Sequence, residues 1–205
     1  MRFTQEDTKR VFSFLAPFYD SAFPFFSHRK EAVKALRLER GDKVLDLGCG
    51  TGLSFELLEE RIGPAGRIYA VDLSKEMLSL ARKRARSRGW KNIDFFECDA
   101  ARFRAPQKAD AVLCVTSLAF MHNPLQVLEN TLRQMRNGAR ISVSDGKLPG
   151  GFFRALGPII ASFSGLHAAD WGIKPWEWME KRLKEFHFEE KALGAMYLAC
   201  GEKRG

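Results

Sequence analysis

Residues 44–52 read Val-Leu-Asp-Leu-Gly-Cys-Gly-Thr-Gly, and this stretch decides the fold of the 205-residue chain. Its apolar first half is typical of a buried strand. The three alternating glycines predict a tight turn into a helix, because glycine adopts a positive φ and lets the main chain approach a ligand closely. The unpaired N–H groups at a helix start suit a polar or anionic ligand. The stretch therefore predicts a ligand-binding turn between a strand and a helix.

Short apolar runs alternate with longer helical patterns from Gly41 onward, which predicts βαβ units and a parallel sheet. The third predicted helix begins after the candidate N-cap Asn123 and keeps Met135 on its apolar face before Asn137-Gly138 ends it. Near the carboxyl end, Trp176, Met179, Leu183 and Phe186 recur in helical phase, and strand-like runs around Phe188 and at 196–200 predict an antiparallel edge hairpin. The predicted parallel strands are 43–47, 67–71, 93–97, 111–115 and 140–144, and the first two predicted helices are 53–61 and 75–88.

Composition and length place the chain among globular proteins of one domain. Hydrophobic residues make up 45% and charged residues 28%, which excludes a disordered or fibrous chain. No run of eighteen apolar residues occurs and the first residues lack a secretory pattern, so we expect a cytoplasmic protein. The four cysteines stand singly, which predicts neither a metal site nor disulfides. A net charge of +8 favours anionic partners without choosing among them.

Acidic residues follow the ends of two predicted strands beyond the glycine turn. Asp72 can accept both hydroxyl groups of a ribose, and Asp99 lies on the same carboxyl edge, where an open α/β sheet binds ligands and where an adenine amino group is its expected partner. Leu53 stands where the dinucleotide fingerprint requires glycine or alanine, which argues against NAD. The alternative is that Asp46, Asp72 and Asp99 are helix caps or solvated carboxylates on a scaffold without a cofactor.

Four motifs in order resemble the motif set of class I S-adenosylmethionine-dependent methyltransferases: VLDLGCGTG (44–52), AVDLS (70–74), ECDA (97–100) and ADAVLCVTSLAFMH (109–122). The resemblance covers about residues 41–145. It implies S-adenosylmethionine as the cofactor, with S-adenosylhomocysteine as the product. It also implies that Asp46 supports the amino group of the cofactor and Asp72 its ribose. The cofactor site implied in this way further comprises Gly48, Cys49, Gly50 and Gly52 around the methionine part, Leu73 and Met77, Asp99 with Ala100 at the adenine, and Thr116 with Ser117 as the floor.

The predicted fold class is therefore α/β: a Rossmann-like, doubly wound, mostly parallel seven-stranded sheet with an antiparallel edge hairpin and an N-terminal helical extension. The whole chain is predicted to be one methyltransferase domain. Its predicted parts are a lid or membrane-contact extension (1–40), the cofactor-binding core (41–145), an insert over the acceptor site (146–185) and the edge hairpin (186–205).

The acceptor is indicated by aromatic residues outside the motifs. Seven aromatic side chains lie between Val11 and Phe26, and a helical apolar stretch follows at 152–163. Phe18-Tyr19-Asp20 resembles an element of the quinone-ring C-methyltransferases and of the bacterial phosphatidylethanolamine N-methyltransferases, and the segment 174–178 is more similar to the phospholipid group. We therefore expect a phospholipid N-methyltransferase in peripheral contact with the inner face of an anionic membrane. The alternatives are a quinone-ring or other small-molecule methyltransferase, an RNA methyltransferase and a cofactor-binding protein without activity.

Two residues are candidates for accepting a proton from the acceptor, Tyr19 and His122. His122 follows the fourth strand, but it could instead support the cap of the next helix. A basic run from Arg82 to Lys91 is a candidate for nucleic-acid binding, but a solvated helix face explains it better, so RNA is the weaker alternative. The oligomeric state is left open.

Overall fold

A computed structural model of the protein describes residues 6–7, 9–10, 12–14, 16, 28–147 and 173–205. Tyr19, most of the aromatic N-terminal segment and the apolar stretch 152–163 lie outside the described residues. The described residues between 6 and 16 are helical. The further elements, in chain order, are α1 (Arg29–Ala35), β1 (Lys43–Leu47), α2 (Phe55–Ile62), β2 (Arg67–Asp72), α3 (Lys75–Arg88), β3 (Ile93–Glu97), β4 (Ala109–Val115), a 3-10 turn (Leu118–Phe120), α4 (Pro124–Gln134), β5 (Met135–Gly146), α5 (Pro175–Arg182), β6 (Leu183–Lys191), a second 3-10 turn (Ala192–Gly194) and β7 (Met196–Lys203).

The described strands form a seven-stranded sheet in the order β3-β2-β1-β4-β5-β7-β6. The strands β1 to β5 pair in parallel, whereas β7 pairs antiparallel with both β5 and β6. The predicted fold class is confirmed, including the edge hairpin. Because parallel strands end on one side, the segments that follow β1, β2, β4 and β5 meet at the carboxyl edge of the sheet.

Helices cover both faces of the sheet, which explains why β1 is apolar at successive positions. Val44 packs with α1, α2 and α3 on one face, while Leu45 and Leu47 pack with α4 and α5 on the other. Each such fully buried side chain contributes about 1.5–3 kcal/mol. Burial on two faces makes β1 rigid up to Leu47, so the turn that follows starts from a fixed point.

The helix signals at three predicted boundaries behave as expected. The Ser74 hydroxyl accepts a hydrogen bond from the Met77 N–H at 3.2 Å, and Gly89 ends the same helix in the left-handed conformation. Asn123 Oδ1 accepts from the Gln126 N–H at 3.4 Å, with Pro124 in the first turn. Side-chain caps of this kind are local and can therefore be predicted from sequence neighbours.

Two predicted helix ends are wrong. Met135 does not extend α4: it pairs with Ala109 as the first residue of β5, and an irregularity follows before Arg140 pairs with Ala111. Likewise α5 ends at Arg182, and Leu183 pairs with Lys203 as the start of β6. In both cases a neighbouring strand offers unpaired main-chain groups, and pairing with it overrides the helical spacing of the apolar residues.

Candidate active site

A cavity opens at the carboxyl edge of the sheet, which is where open α/β sheets bind ligands. Its wall combines the glycine turn, the end of β2, the start of α3, the loop after β4 and part of the N-terminal segment. The lining residues are Lys9, Phe12, Gly48, Gly50, Asp72, Leu73, Ser74, Met77, Thr116, Ser117, Phe120, Met121 and His122. The fold therefore brings together most of the predicted cofactor residues and His122.

The three glycines of the turn all have positive φ, but for different reasons. A Cβ on Gly48 would lie 2.4 Å from Ser117 Cβ, and one on Gly52 would lie 2.3 Å from the Phe55 ring. A Cβ on Gly50 would meet no protein atom within 4 Å, and Gly50 lies on the cavity wall. Gly48 and Gly52 therefore serve close packing, whereas Gly50 presents bare main chain to the cavity.

Asp72 ends β2, and its carboxylate connects the glycine turn to the start of α3. Its Oδ2 accepts the Gly50 N–H at 2.8 Å, and its Oδ1 accepts the Ser74 N–H at 2.9 Å. Burial raises the pKa of this carboxyl above its ordinary value, and the hydrogen bonds from Ser74 and Gly50 oppose that rise. Each oxygen keeps a lone pair for a further donor, so the group can accept hydroxyl hydrogen bonds from a ribose.

Asp46 lies in β1 behind the cavity wall and is only 2% exposed. Burial raises the pKa of its carboxyl to about 7, which the positive charge of Arg29 opposes and the negative charge of Asp72 reinforces. Its Oδ2 has no hydrogen-bond partner among the described residues. A buried acceptor without a donor is costly, and an ammonium group beside the turn would satisfy it. The chemistry of Asp46, Gly50 and Asp72 therefore fits the amino and ribose groups of S-adenosylmethionine.

The loop after β4 forms the part of the wall that adjoins the glycine turn. Thr116 has a φ of +51° and donates its N–H to the Ser144 carbonyl, while the Ser117 hydroxyl donates to the Leu47 carbonyl at 2.9 Å. Beyond this anchor, Phe120 and Met121 add apolar surface to the cavity. The predicted floor residues Thr116 and Ser117 thus lie beside the glycine turn.

The N-terminal segment reaches the same cavity. The Ser13 hydroxyl donates to Glu76 Oε2 at 2.6 Å and lies 3.0 Å from the Ser74 hydroxyl oxygen. Lys9 Nζ lies 3.7 Å from Glu97 Oε1. The Phe12 ring meets the Phe120 ring edge-on, with centroids 5.0 Å apart. This segment therefore contacts residues that lie more than sixty positions later in the sequence, at the start of α3, at the end of β3 and in the loop after β4.

Some predicted residues are not on the cavity wall. Asp99 Oδ1 accepts the Ala101 N–H at 2.9 Å, so its carboxylate supports the turn that follows β3. Cys49 is buried, and burial raises the pKa of its thiol. The roles predicted for Asp99, Ala100, Cys49 and Gly52 toward the cofactor stay predictions.

His122 lines the cavity and is exposed to solvent. The side-chain hydrogen bonds at the start of α4 join Asn123 and Gln126, including one of 3.1 Å between Asn123 Nδ2 and Gln126 Oε1. The imidazole is thus placed at the mouth of the site, beside a cap that Asn123 forms. Tyr19 lies outside the described residues, and its catalytic role stays a prediction.

Sequence reasoning missed five lining residues, among them Phe12, which was identified only as one of the aromatic residues between Val11 and Phe26. Ser74 was identified only as a helix cap, and Phe120 and Met121 only as part of a motif. Lys9 had no local signal, because its place on the wall depends on how the N-terminal segment crosses the sheet edge. Among the described residues, no cluster of His, Cys, Asp or Glu side chains is arranged to hold a metal ion.

Comparison with known proteins connects this site to one family. A family described as methyltransferase domain matches residues 38–175. The demethylmenaquinone methyltransferase of Listeria welshimeri is 27% identical over 198 residues, covering 89% of this chain and 82% of the relative.

Two solved structures share the fold. A phosphoethanolamine N-methyltransferase 2 of Haemonchus contortus, in complex with phosphomonomethylethanolamine and S-adenosylhomocysteine, superposes with a TM-score of 0.81 at 13% identity, covering 99% of this chain and 61% of that one. An S-adenosylmethionine-dependent methyltransferase of Aquifex aeolicus superposes with a TM-score of 0.62 at 18% identity, covering 98% of both chains.

Proposed function

Because this chain belongs to the methyltransferase domain family and is an S-adenosylmethionine-dependent methyltransferase, we propose that its acceptor is a ring carbon of a reduced quinone of the demethylmenaquinone type. The observation that carries this proposal is the apolar, aromatic wall beside the glycine turn. Phe12, Phe120 and Met121 form a surface suited to a flat ring. Relatives that align with most of the chain bear the matching name.

An ethanolamine-type amine, which the short aromatic motifs favour, fits this wall less well. Such an amine arrives as a cation and needs a carboxylate nearby. Among the described lining residues the carboxylate is that of Asp72, which already accepts two main-chain N–H groups and whose remaining lone pairs we assign to the cofactor ribose. The Lys9 ammonium group on the same wall is paired with Glu97 at 3.7 Å and offers no attraction to a cationic acceptor.

RNA is also a weaker candidate, because three of the six basic side chains between Arg82 and Lys91 contact other parts of the molecule. Arg84 Nε donates to the Thr51 carbonyl at 3.0 Å, and Arg88 lies 2.9 Å from Glu56. Arg82 stands over the Phe95 ring at 5.2 Å from its centroid. These contacts describe a structural helix face better than a phosphate-binding patch.

The bound cofactor supplies an electrophilic methyl group carried on a cationic sulfur. Residues of this chain orient the acceptor, exclude water and accept a proton. A hydroquinone loses a hydroxyl proton as its ring carbon forms the new carbon–carbon bond and the methyl–sulfur bond breaks. The proton of that ring carbon then leaves while the oxygen takes up a proton again, so one proton is released in net. His122 Nδ1 or Nε2 accepts the hydroxyl proton, and its exposure allows release of that proton to water.

Replacing His122 by glutamine is expected to lower kcat about 100-fold, because it removes the proton acceptor while keeping polarity and size. The Kd for S-adenosylhomocysteine should change less than about threefold, since cofactor groups are untouched. Steady-state kinetics and calorimetric titration measure both values. His187→Gln on the exposed strand β6 is the matched control and should behave as wild type. An unaltered kcat in His122→Gln would transfer the role to Tyr19, which Tyr19→Phe tests.

We also propose that the acceptor arrives from an anionic membrane surface. Phe14 and Leu193 are 79% and 81% exposed. Leu193 lies in the turn between β6 and β7, at the carboxyl edge, because β7 begins there opposite Gly146. Phe14 follows the contact of Ser13 with the start of α3 at the same edge. Apolar side chains projecting beside a site of this kind favour contact with lipid. None of the described helices has the length and apolar composition needed to cross a bilayer.

One assay tests the acceptor and its source. The protein is incubated with methyl-labelled donor and, separately, with demethylmenaquinol in vesicles containing phosphatidylglycerol, the same quinol in neutral vesicles, phosphatidylethanolamine vesicles and total RNA. We expect label in the quinone, and faster labelling from anionic vesicles. Label in phosphatidylethanolamine or RNA would contradict the proposed acceptor. Equal rates from both quinol vesicles would contradict the role of anionic lipid. Cofactor binding without label in any fraction would favour a non-catalytic protein.

A further inference from the structure

Asp145 lies at the carboxyl end of β5 and is only 1% exposed, yet no sequence motif marks it. Its Oδ2 accepts two hydrogen bonds from the loop after β4, from the Ser117 N–H at 3.1 Å and from the Ala119 N–H at 3.0 Å. Its Oδ1 accepts the adjacent Gly146 N–H at 2.8 Å. Three N–H donors therefore surround one buried carboxylate. Such charge-assisted bonds offset much of the cost of burying the charge.

The loop held in this way carries the acceptor-side wall of the cavity. Thr116, Ser117, Phe120, Met121 and His122 all line it, whereas Asp145 does not. The loop starts with Thr116 at a φ of +51°, a conformation that costs about 1–3 kcal/mol for a residue other than glycine. Because the backbone of Thr116 is strained, further hydrogen bonds are needed to hold the loop in one conformation. Asp145 provides two of them immediately after the strained residue.

The strand that carries Asp145 is supported by its neighbour β7. Asp145 pairs with Tyr197 in the antiparallel register of β5 and β7. The buried Tyr197 ring packs against Trp176, with centroids 4.9 Å apart, and against Phe188, with centroids 6.1 Å apart. The aromatic cluster of Trp176, Phe188 and Tyr197 therefore backs the strand that carries Asp145. Displacement of the carboxylate away from the loop is opposed by this packing.

We propose that Asp145 is a positioning residue for methyl transfer, which fixes the loop 116–122 so that Phe120 and His122 face the acceptor. This inference rests on the proposed function for the part concerning the acceptor. Asp145 acts through the loop, and the methyl group, the acceptor and the proton do not pass through its carboxylate. Small displacements of a positioning wall cost turnover because the reacting atoms must be aligned closely.

The test uses the full-length protein with Asp145→Asn and Asp145→Ala. Asparagine offers one carbonyl oxygen to three N–H donors, and alanine offers none. Hydrogen exchange of the Ser117 and Ala119 amides should accelerate about tenfold or more in the alanine variant and less in the asparagine variant. With demethylmenaquinol, kcat should fall about 100-fold in Asp145→Ala and about tenfold in Asp145→Asn. The Kd for S-adenosylhomocysteine should stay within about threefold of wild type in both.

Ser144→Ala is the matched control. The Ser144 hydroxyl is buried on the same strand and makes no hydrogen bond among the described residues, so its removal leaves the loop bonds intact. Wild-type exchange of the loop amides and wild-type kcat in Asp145→Asn would overturn the proposal, even if Asp145→Ala does not fold. If the Asp145 variants showed faster hydrogen exchange over the whole sheet and lost cofactor binding, the proposal would also be overturned, because Asp145 would then stabilise the core in general and not the loop. Exchange and cofactor binding need no acceptor, so a wrong acceptor is recognised separately by absence of turnover in the wild type.

Discussion

Replacing Asp72 by alanine is expected to raise the Kd for S-adenosylhomocysteine at least about 100-fold, since the two charge-assisted hydrogen bonds that we propose to the ribose hydroxyls would contribute about 1.5–3 kcal/mol each. The same change removes the acceptor for the Gly50 and Ser74 N–H groups. The glycine turn would then lose its connection to the start of α3. Binding is weakened both by the missing contact with the cofactor and by a less ordered turn.

Calorimetric titration with S-adenosylhomocysteine measures this effect. Asp72→Asn keeps one acceptor oxygen and should bind S-adenosylhomocysteine about tenfold more weakly than wild type, so its affinity should lie between those of wild type and Asp72→Ala. Asp94→Ala on β3 is the matched control, because Asp94 pairs with Arg67 at the surface and not with the cavity. It should bind as wild type does. If Asp72→Ala bound the cofactor with wild-type affinity, Asp72 would not bind the ribose, and the orientation that we propose for the cofactor would be wrong.

The second large effect is expected at Gly50, where function and packing can be separated. An alanine at a φ of +56° costs about 1–2 kcal/mol of stability, but its Cβ meets no protein atom. The new methyl group would instead occupy space on the cavity side of the turn. We expect Gly50→Ala to fold and to raise the Kd for S-adenosylhomocysteine about 50-fold or more, because the cofactor can no longer approach the main chain closely.

Gly52→Ala gives the opposite result and serves as the comparison. Its Cβ would lie 2.3 Å from the ring of Phe55, a fully buried side chain of α2. Overpacking of this kind costs about 1–3 kcal/mol in addition to the backbone strain at positive φ. Thermal unfolding should therefore shift further for Gly52→Ala than for Gly50→Ala, while cofactor affinity of the folded fraction shifts less. If Gly50→Ala bound the cofactor as wild type does, the bare main chain would have no role in binding.

Features that depend on sequence neighbours were predictable. The apolar stretch of β1, the glycine turn, the Ser74 and Asn123 caps and the end of α3 at Gly89 are each specified within a few residues. The ordered motifs then identified the cofactor, because each motif follows a strand and parallel strands end at one edge.

The errors at Met135 and Leu183 have a common cause. Both residues continue the apolar spacing of a helix, and the spacing of three or four residues does not show that a strand edge lies nearby. Met135 finds Ala109 as a partner, and Leu183 finds Lys203. Strand pairing is a non-local interaction, so its strength at these positions is not encoded in the adjacent residues.

The amino-acid sequence by itself determined the fold class, the family and the identity of the cofactor, since local conformational preference and ordered motifs suffice for these. The tertiary structure alone decided which side chains share the cavity wall. Lys9 and Phe12 come from the N-terminal segment, and Asp145 supports a loop whose Ser117 lies 28 residues earlier in the chain. Contacts between distant segments form only when the sheet brings strand ends together, because hydrogen bonds and packing depend on distance in space and not along the chain.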